Sequence, residues 1–152
     1  MRPTGRSRGP AVLAAGIVSL LWTVGAGAQS QYPLFTQNTF VATMKTVGRN
    51  FSGVTQAIGQ DDFESAKSRA IRVREQLATT VTFWRRNKKD DAVTLLRAAT
   101  SRFDELDTLL SRTPVDKDAA LEAVKQVGAT CQNCHVAFRD QDPVTKAYTI
   151  KR

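Results

Sequence analysis

Apolar residues recur along this chain at helical spacing in four separate stretches. In the first, Phe40, Met44, Val47, Phe51, Val54 and Ile58 alternate steps of four and three residues. The second runs through Phe63, Ala66, Ala70, Val73 and Leu77 and continues by way of Val81 to Trp84. The third is Ala92, Leu96, Ala99, Phe103, Leu106 and Leu110, and the fourth is Ala120, Val124, Val127, Cys131, Cys134 and Phe138. Such spacing keeps each set on one face of a helix. No stretch beyond the N-terminal segment shows the clean alternation of a half-buried strand. The pattern predicts an all-α chain whose helices cover residues 36–59, 62–88, 91–111 and 114–140. Short joins favour antiparallel neighbours, so the expected architecture is an antiparallel four-helix bundle that buries the four stripes against one another. Residues 29–35 and 141–152 are expected to be loose ends.

The breaks carry end signals. Asp61, with Glu64 three residues on, predicts a cap and reciprocal acid for the second helix. Arg85, Arg86, Lys88 and Lys89 suit its C-terminus, where cations meet the negative end of the helix dipole. Asp90 or Asp91 is the expected cap of the third helix. Thr113-Pro114-Val115-Asp116 reads as a cap, a proline in the first turn and an acid at the third position, starting the fourth helix at Pro114. Pro143 keeps that helix from running further. Gly48 inside the first helix leaves a smooth side that a neighbouring helix or a flat cofactor can approach; a tolerated surface glycine is an equal alternative.

Ahead of the first stripe the composition changes. Arg2, Arg6 and Arg8 precede an apolar run from Ala11 to Ala26, which ends in Ala26-Gly27-Ala28 before Gln29. A basic start, an apolar stretch and a small-x-small site predict a secretory signal peptide over residues 1–28 and a mature domain over 29–152. The run is interrupted by Thr23 and two glycines and falls short of the roughly 20 residues a spanning helix needs. A retained anchor is the competing reading; with the segment cleaved, no membrane span remains. Removing Arg2, Arg6 and Arg8 from the 22 basic residues leaves 19 against 14 acids, a charge of +5. That balance, spread among acids on helix surfaces, is not a nucleic-acid footprint. A mildly basic surface can steer an acidic redox partner.

The chemistry is concentrated in one pentapeptide. Cys131-Gln132-Asn133-Cys134-His135 holds both cysteines and the single histidine of the chain. Cys-x-x-Cys-His is the attachment pattern of a c-type haem: two thiols add to the vinyl groups and the adjacent imidazole binds the iron. Cys131 and Cys134 sit three apart and continue the fourth stripe, so both face inward. His135 lies about 100° further round. Two alternatives fit less well. A disulfide or exchange site gives no role to the adjacent histidine, and a zinc site lacks a second ligand cluster to close a tetrahedron.

Cys131-x-x-Cys134-His135-x-x-Phe138-Arg139, near the end of a fourth helix in a short exported chain, resembles the class II cytochromes c, which include cytochrome c′ and its methionine-ligated relatives. The resemblance covers the helix layout of nearly the whole mature chain, with detail only in the C-terminal motif. It implies one covalent haem c, with Cys131 and Cys134 as attachment points and His135 as proximal ligand. It places Met44 at the distal position of the first helix, as sixth iron ligand in low-spin members or as a cover over an open site in high-spin ones. Without the resemblance, Met44 reads as core packing. Lys45 is a competing nitrogen ligand expected to point away from the stripe. Arg139 falls where the family carries a basic residue near the imidazole, and shielding the ligand or pairing with a propionate competes with a role at the helix terminus. Phe138 is expected against the porphyrin or a neighbouring helix, and Trp84 in the core or an interface. The family often has Arg and Gln where Phe40 and Val41 stand, so the propionate partners are left unidentified.

The function expected from this reading is a periplasmic, bacterial, mono-haem electron carrier between redox proteins, and not an enzyme, since no nucleophile–base pair is visible. The alternative is a five-coordinate protein binding NO or CO; a haem-free helical interaction module is a third reading. Val41, Val81 and Phe83 lie off or beside the main stripes and suggest a modest homodimer patch.

Overall fold

The computed structural model describes residues 35–151, so the signal-peptide expectation lies outside the described residues. The chain is mostly helical: α1 (Gln37–Gly59), α2 (Phe63–Thr79), α3 (Val81–Arg86), α4 (Asp90–Leu110) and α5 (Lys117–Phe138), followed by a small hairpin of β1 (Arg139–Gln141) and β2 (Tyr148–Ile150). The four long helices pack in a ring: α1 on α2, α2 on α4, α4 on α5, and α5 back on α1. The last of these seams is the sparsest. No helix among the described residues is long and apolar enough to cross a membrane.

The stripes enter the core nearly as spaced. All six members of the third stripe are buried on α4, from Ala92 to Leu110. Val54, Ile58, Ala66, Val73, Leu106 and Val127 are fully enclosed. Removing such side chains from water contributes roughly 1.5–3 kcal/mol for each Val, Leu or Ile.

Several local expectations need correction. The second helix does not run unbroken to residue 88. Thr80 is buried, and its hydroxyl donates to Leu77 O at 2.6 Å, while Thr79 donates to Gln76 O at 2.7 Å. Two consecutive threonines bonding back to the preceding turn compete with the helix ladder and bend the chain. The break re-aims α3, so Phe83 turns inward and stacks on Phe40 with ring centroids 4.3 Å apart. Phe83 is therefore core and no part of a dimer patch, and Val41 and Val81 are also packed against the core.

The caps also shift. Asp62, not Asp61, caps α2, accepting from Ser65 N at 3.1 Å. Asp61 instead sits at φ 61 beyond α1, where Asp61 N and Asp62 N return to Ile58 O and Ala57 O. This closes α1 by a Schellman turn on a non-glycine residue. Lys117 Nζ then ties the start of α5 to that end, 2.9 Å from Gly59 O and 2.8 Å from Asp61 Oδ1. The cap position of α4 is Lys89, without a side-chain bond, and Asp90 and Asp91 lie inside the first turn. Finally, α5 starts at Lys117, because Asp116 accepts from Ala119 N at 3.0 Å. A carboxylate caps better than the Thr113 hydroxyl, and the residues before it are needed as the turn from α4.

The C-terminal end is ordered rather than loose. β1 and β2 pair antiparallel, with Arg139 opposite Ile150 and Gln141 opposite Tyr148. Asp142 Oδ1 accepts from Val144 N at 2.9 Å and Thr145 N at 2.7 Å, which sets the turn. Lys151 fastens the far end, its amide on Phe138 O at 2.9 Å and its ammonium on Val136 O at 2.8 Å.

Asp116→Ala should lower the unfolding free energy by about 1 kcal/mol, whereas Thr113→Ala should change it by less than about 0.5 kcal/mol, as read by denaturant melts. The reverse order would return the start of α5 to Pro114.

Candidate functional site

The stripes of α1 and α5 are buried except where they line the seam between the two helices. On α5, Ala120, Val124 and Val127 are buried, but the next two members, Cys131 and Cys134, are only half-buried. On α1, Phe40, Val47, Val54 and Ile58 are buried, while Met44 and Phe51 are half-buried. These four incompletely covered residues line one apolar cavity, together with His135, Phe138 and Arg139. The centre of a water molecule has about 260 Å³ of it to move in, and the walls stand a further water radius away. All six residues singled out in the sequence, Met44, Cys131, Cys134, His135, Phe138 and Arg139, therefore border one space.

The walls come from every long helix. Val73 and Leu77 of α2, Leu96, Ala99 and Phe103 of α4, and Phe51 of α1 form the apolar back. Phe51 and Phe103 meet edge-on at 5.8 Å. At one end Trp84 bridges Phe40 of α1, at 5.0 Å, and Phe138 of α5, at 5.2 Å. These edge-to-face and tilted contacts link the two helices through Trp84. Phe138 is thus buried in an aromatic cluster, and Trp84 is core. Gly48 lies on the wall with nothing within 4 Å of where a Cβ would stand, so a side chain there would project into free space.

The electrostatics follow from this burial. The two thiols are free. Burial pushes the Cys131 thiol up, and burial, the neighbouring Cys131 and Asp91 push Cys134 up to about 11. Neither is poised as a thiolate, the form that exchange chemistry and metal binding use. Among the described residues no group of three or more His, Cys, Asp or Glu side chains is placed to hold a metal ion. Burial, and then the charge of Arg139, lower the pKa of His135, which keeps the imidazole neutral. A neutral imidazole with a free lone pair is the form that ligates iron. Arg139 itself is exposed and stacks over the Tyr148 ring, 4.9 Å from its centroid.

The sequence pointed at the pentapeptide and Met44 but missed two parts of the wall. One is the hairpin: Tyr148, Thr149 and Ile150 of β2 line the cavity, and β2 packs against α1. The alternation Tyr148-Thr149-Ile150 behind the Asp142-Pro143 turn signal marks a short strand, but three residues fall below the length at which periodicity separates strand from coil. The other is Lys45, which was expected to point away from the stripe. It is exposed, yet it borders the cavity beside Met44. In comparisons with known proteins the chain matches no protein-family model, and neither a curated protein nor a solved structure matches it significantly.

Before any group is attached, Cys134 should react with iodoacetamide at pH 8 roughly 100-fold more slowly than the same thiol in an unfolded peptide, the ratio that two pKa units set. An equal rate would contradict a buried, protonated pair. The His135 shift has a definite sign as well. Its folded pKa lies below the unfolded value, so its contribution is present above about pH 6.5 and is lost as pH falls through the folded value. Denaturant midpoints of the unloaded chain should therefore drop on acidification below that point, and His135→Gln should flatten the slope.

Proposed function

We propose that this chain is a class II c-type cytochrome carrying single electrons between redox proteins of the bacterial periplasm. The observation that carries the reading is convergence. Cys131, Cys134 and His135 from α5 and Met44 from α1 border one apolar cavity at the seam the helices leave open. The residues present suit a haem c. The two protonated thiols on one helical face would hold it, each adding its S–H across a vinyl group to give a thioether. The neutral His135 imidazole one residue on, with its free lone pair, and the Met44 thioether on the opposing helix would be the groups that hold the iron. The open side of Gly48 and the apolar back wall fit a flat, largely apolar body.

When bound, haem c supplies an iron centre that cycles between ferric and ferrous states. The chain's own residues do the rest. Phe51, Leu77, Leu96 and Phe103 give the cavity an apolar wall that disfavours water. An apolar surround disfavours the extra ferric charge, so the walls favour reduction. The Phe40–Trp84–Phe138 cluster ties the end of α5 to α1, the two helices that carry His135 and Met44. The same fold and cavity with Met44 unligated would instead present an open iron to NO or CO, and the sixth position separates the two.

The optical spectrum of the purified protein tests this. Expected are sharp low-spin reduced bands and a weak far-red ferric band from sulfur-to-iron charge transfer. Met44→Ala should abolish the far-red band and turn the reduced protein high-spin, with CO uptake gained. A wild-type protein that is already high-spin and binds CO would replace electron transfer by gas binding.

A further inference from the structure

The cavity is apolar apart from its rim, and the rim carries charge of one sign. Among the described residues, two charged side chains border it, Lys45 on α1 and Arg139 at the start of β1, and no carboxylate does. Neither cation takes part in an ion pair among the described residues. The acids nearest in sequence to Arg139 are engaged elsewhere: Asp140 Oδ1 accepts from Gln141 N at 2.8 Å, and Asp142 holds the hairpin turn. Arg139 is oriented without a counter-ion by its stack on Tyr148. Stacking occupies the face of a guanidinium and leaves the N–H donors at its edge free. Its uncompensated charge is felt at His135, whose pKa it helps to lower.

Unpaired cations at the mouth of an apolar cavity define a ligand of particular chemistry: a broad apolar body ending in carboxylates. We infer that Lys45 and Arg139 form the carboxylate edge of the cavity and bind the two propionates of the haem, one from α1 and one from the hairpin. This rests on the proposed haem reading and extends it to the partners that Phe40 and Val41 cannot provide. Phe40 is buried against Phe83 and Trp84, and Val41 has no polar atom to offer. Arg139 supplies planar two-pronged donation and Lys45 a mobile point charge. Tyr148 is a positioning residue: it holds Arg139 at the rim and bonds nothing itself.

Resonance Raman spectra of the purified, haem-loaded protein test the site through the propionate bending bands, with the spin-state bands as an internal check on the axial ligands. Lys45→Gln and Arg139→Gln are each expected to shift or split the propionate bands while the spin-state bands stay in place. Arg139→Lys should restore them in part, because charge is kept and the fork is lost. Tyr148→Leu, which loosens the stack but keeps both cations, should broaden the bands without abolishing the Arg139 dependence. Propionate bands that are unmoved in both Gln variants of a haem-loaded protein overturn this site alone. A chain that purifies with no covalent haem overturns the site and the proposed function together.

Discussion

Three of the four seams in this ring of helices are densely packed, and the fourth, between α1 and α5, is sparse and leaves a cavity along part of its length. The gap comes from composition. Where the α5 stripe would continue with branched aliphatic residues it carries Cys131 and Cys134, and on the facing helix Met44 is followed one turn later by Gly48. Short or slender side chains on both helices cannot fill the space between them, and Phe40, Trp84 and Phe138 brace its end so that it does not collapse. An apolar cavity that neither closes nor fills is unfavourable on its own terms, since its lining lacks contact partners. A flat apolar ligand bound there would remove that lining from water and stabilise the native state by mass action. Fold and site are in this sense one feature.

The parts of the fold legible in advance were those governed by a single long period. The α4 stripe from Ala92 to Leu110 is buried at every expected position, because 21 helical residues give the pattern room to declare itself. The stripes of α1 and α5 were equally readable, and their only incompletely buried members are the cavity-lining ones. The misses lie where short-range competition decides. At Thr79-Thr80 the apolar rhythm continues straight through, but two hydroxyls bonding to preceding carbonyls break the helix, and Phe83 changes sides as a result. Asp61 and Asp62 are adjacent candidates for one cap, and what separates them is that Asp61 occupies a left-handed turn position that ends α1. A hydrophobic pattern holds no record of that backbone geometry.

For the candidate site, the pentapeptide stood out because it holds every Cys and His of the chain, and the helical spacing of Met44 set it on the same seam. The rim was not legible. Whether Lys45 faces solvent or the cavity mouth depends on how widely α1 and α5 are splayed, and Arg139 reaches the rim only because the chain reverses at Asp142 and returns Tyr148 beneath it. Both are consequences of tertiary arrangement around an open seam. They also give that seam its polarity: an apolar interior, a cationic mouth, and a half-buried imidazole kept neutral between them.

The proposed role of the α1–α5 cavity is to hold a covalently attached haem. Mass spectrometry of the protein isolated from the periplasm after acid–acetone treatment tests it most directly. The account predicts one haem mass added per chain, surviving extraction and mapping to the peptide that contains Cys131 and Cys134, and lost when both cysteines are replaced by serine. A chain at its unmodified mass, with both thiols free or joined to each other, would contradict it.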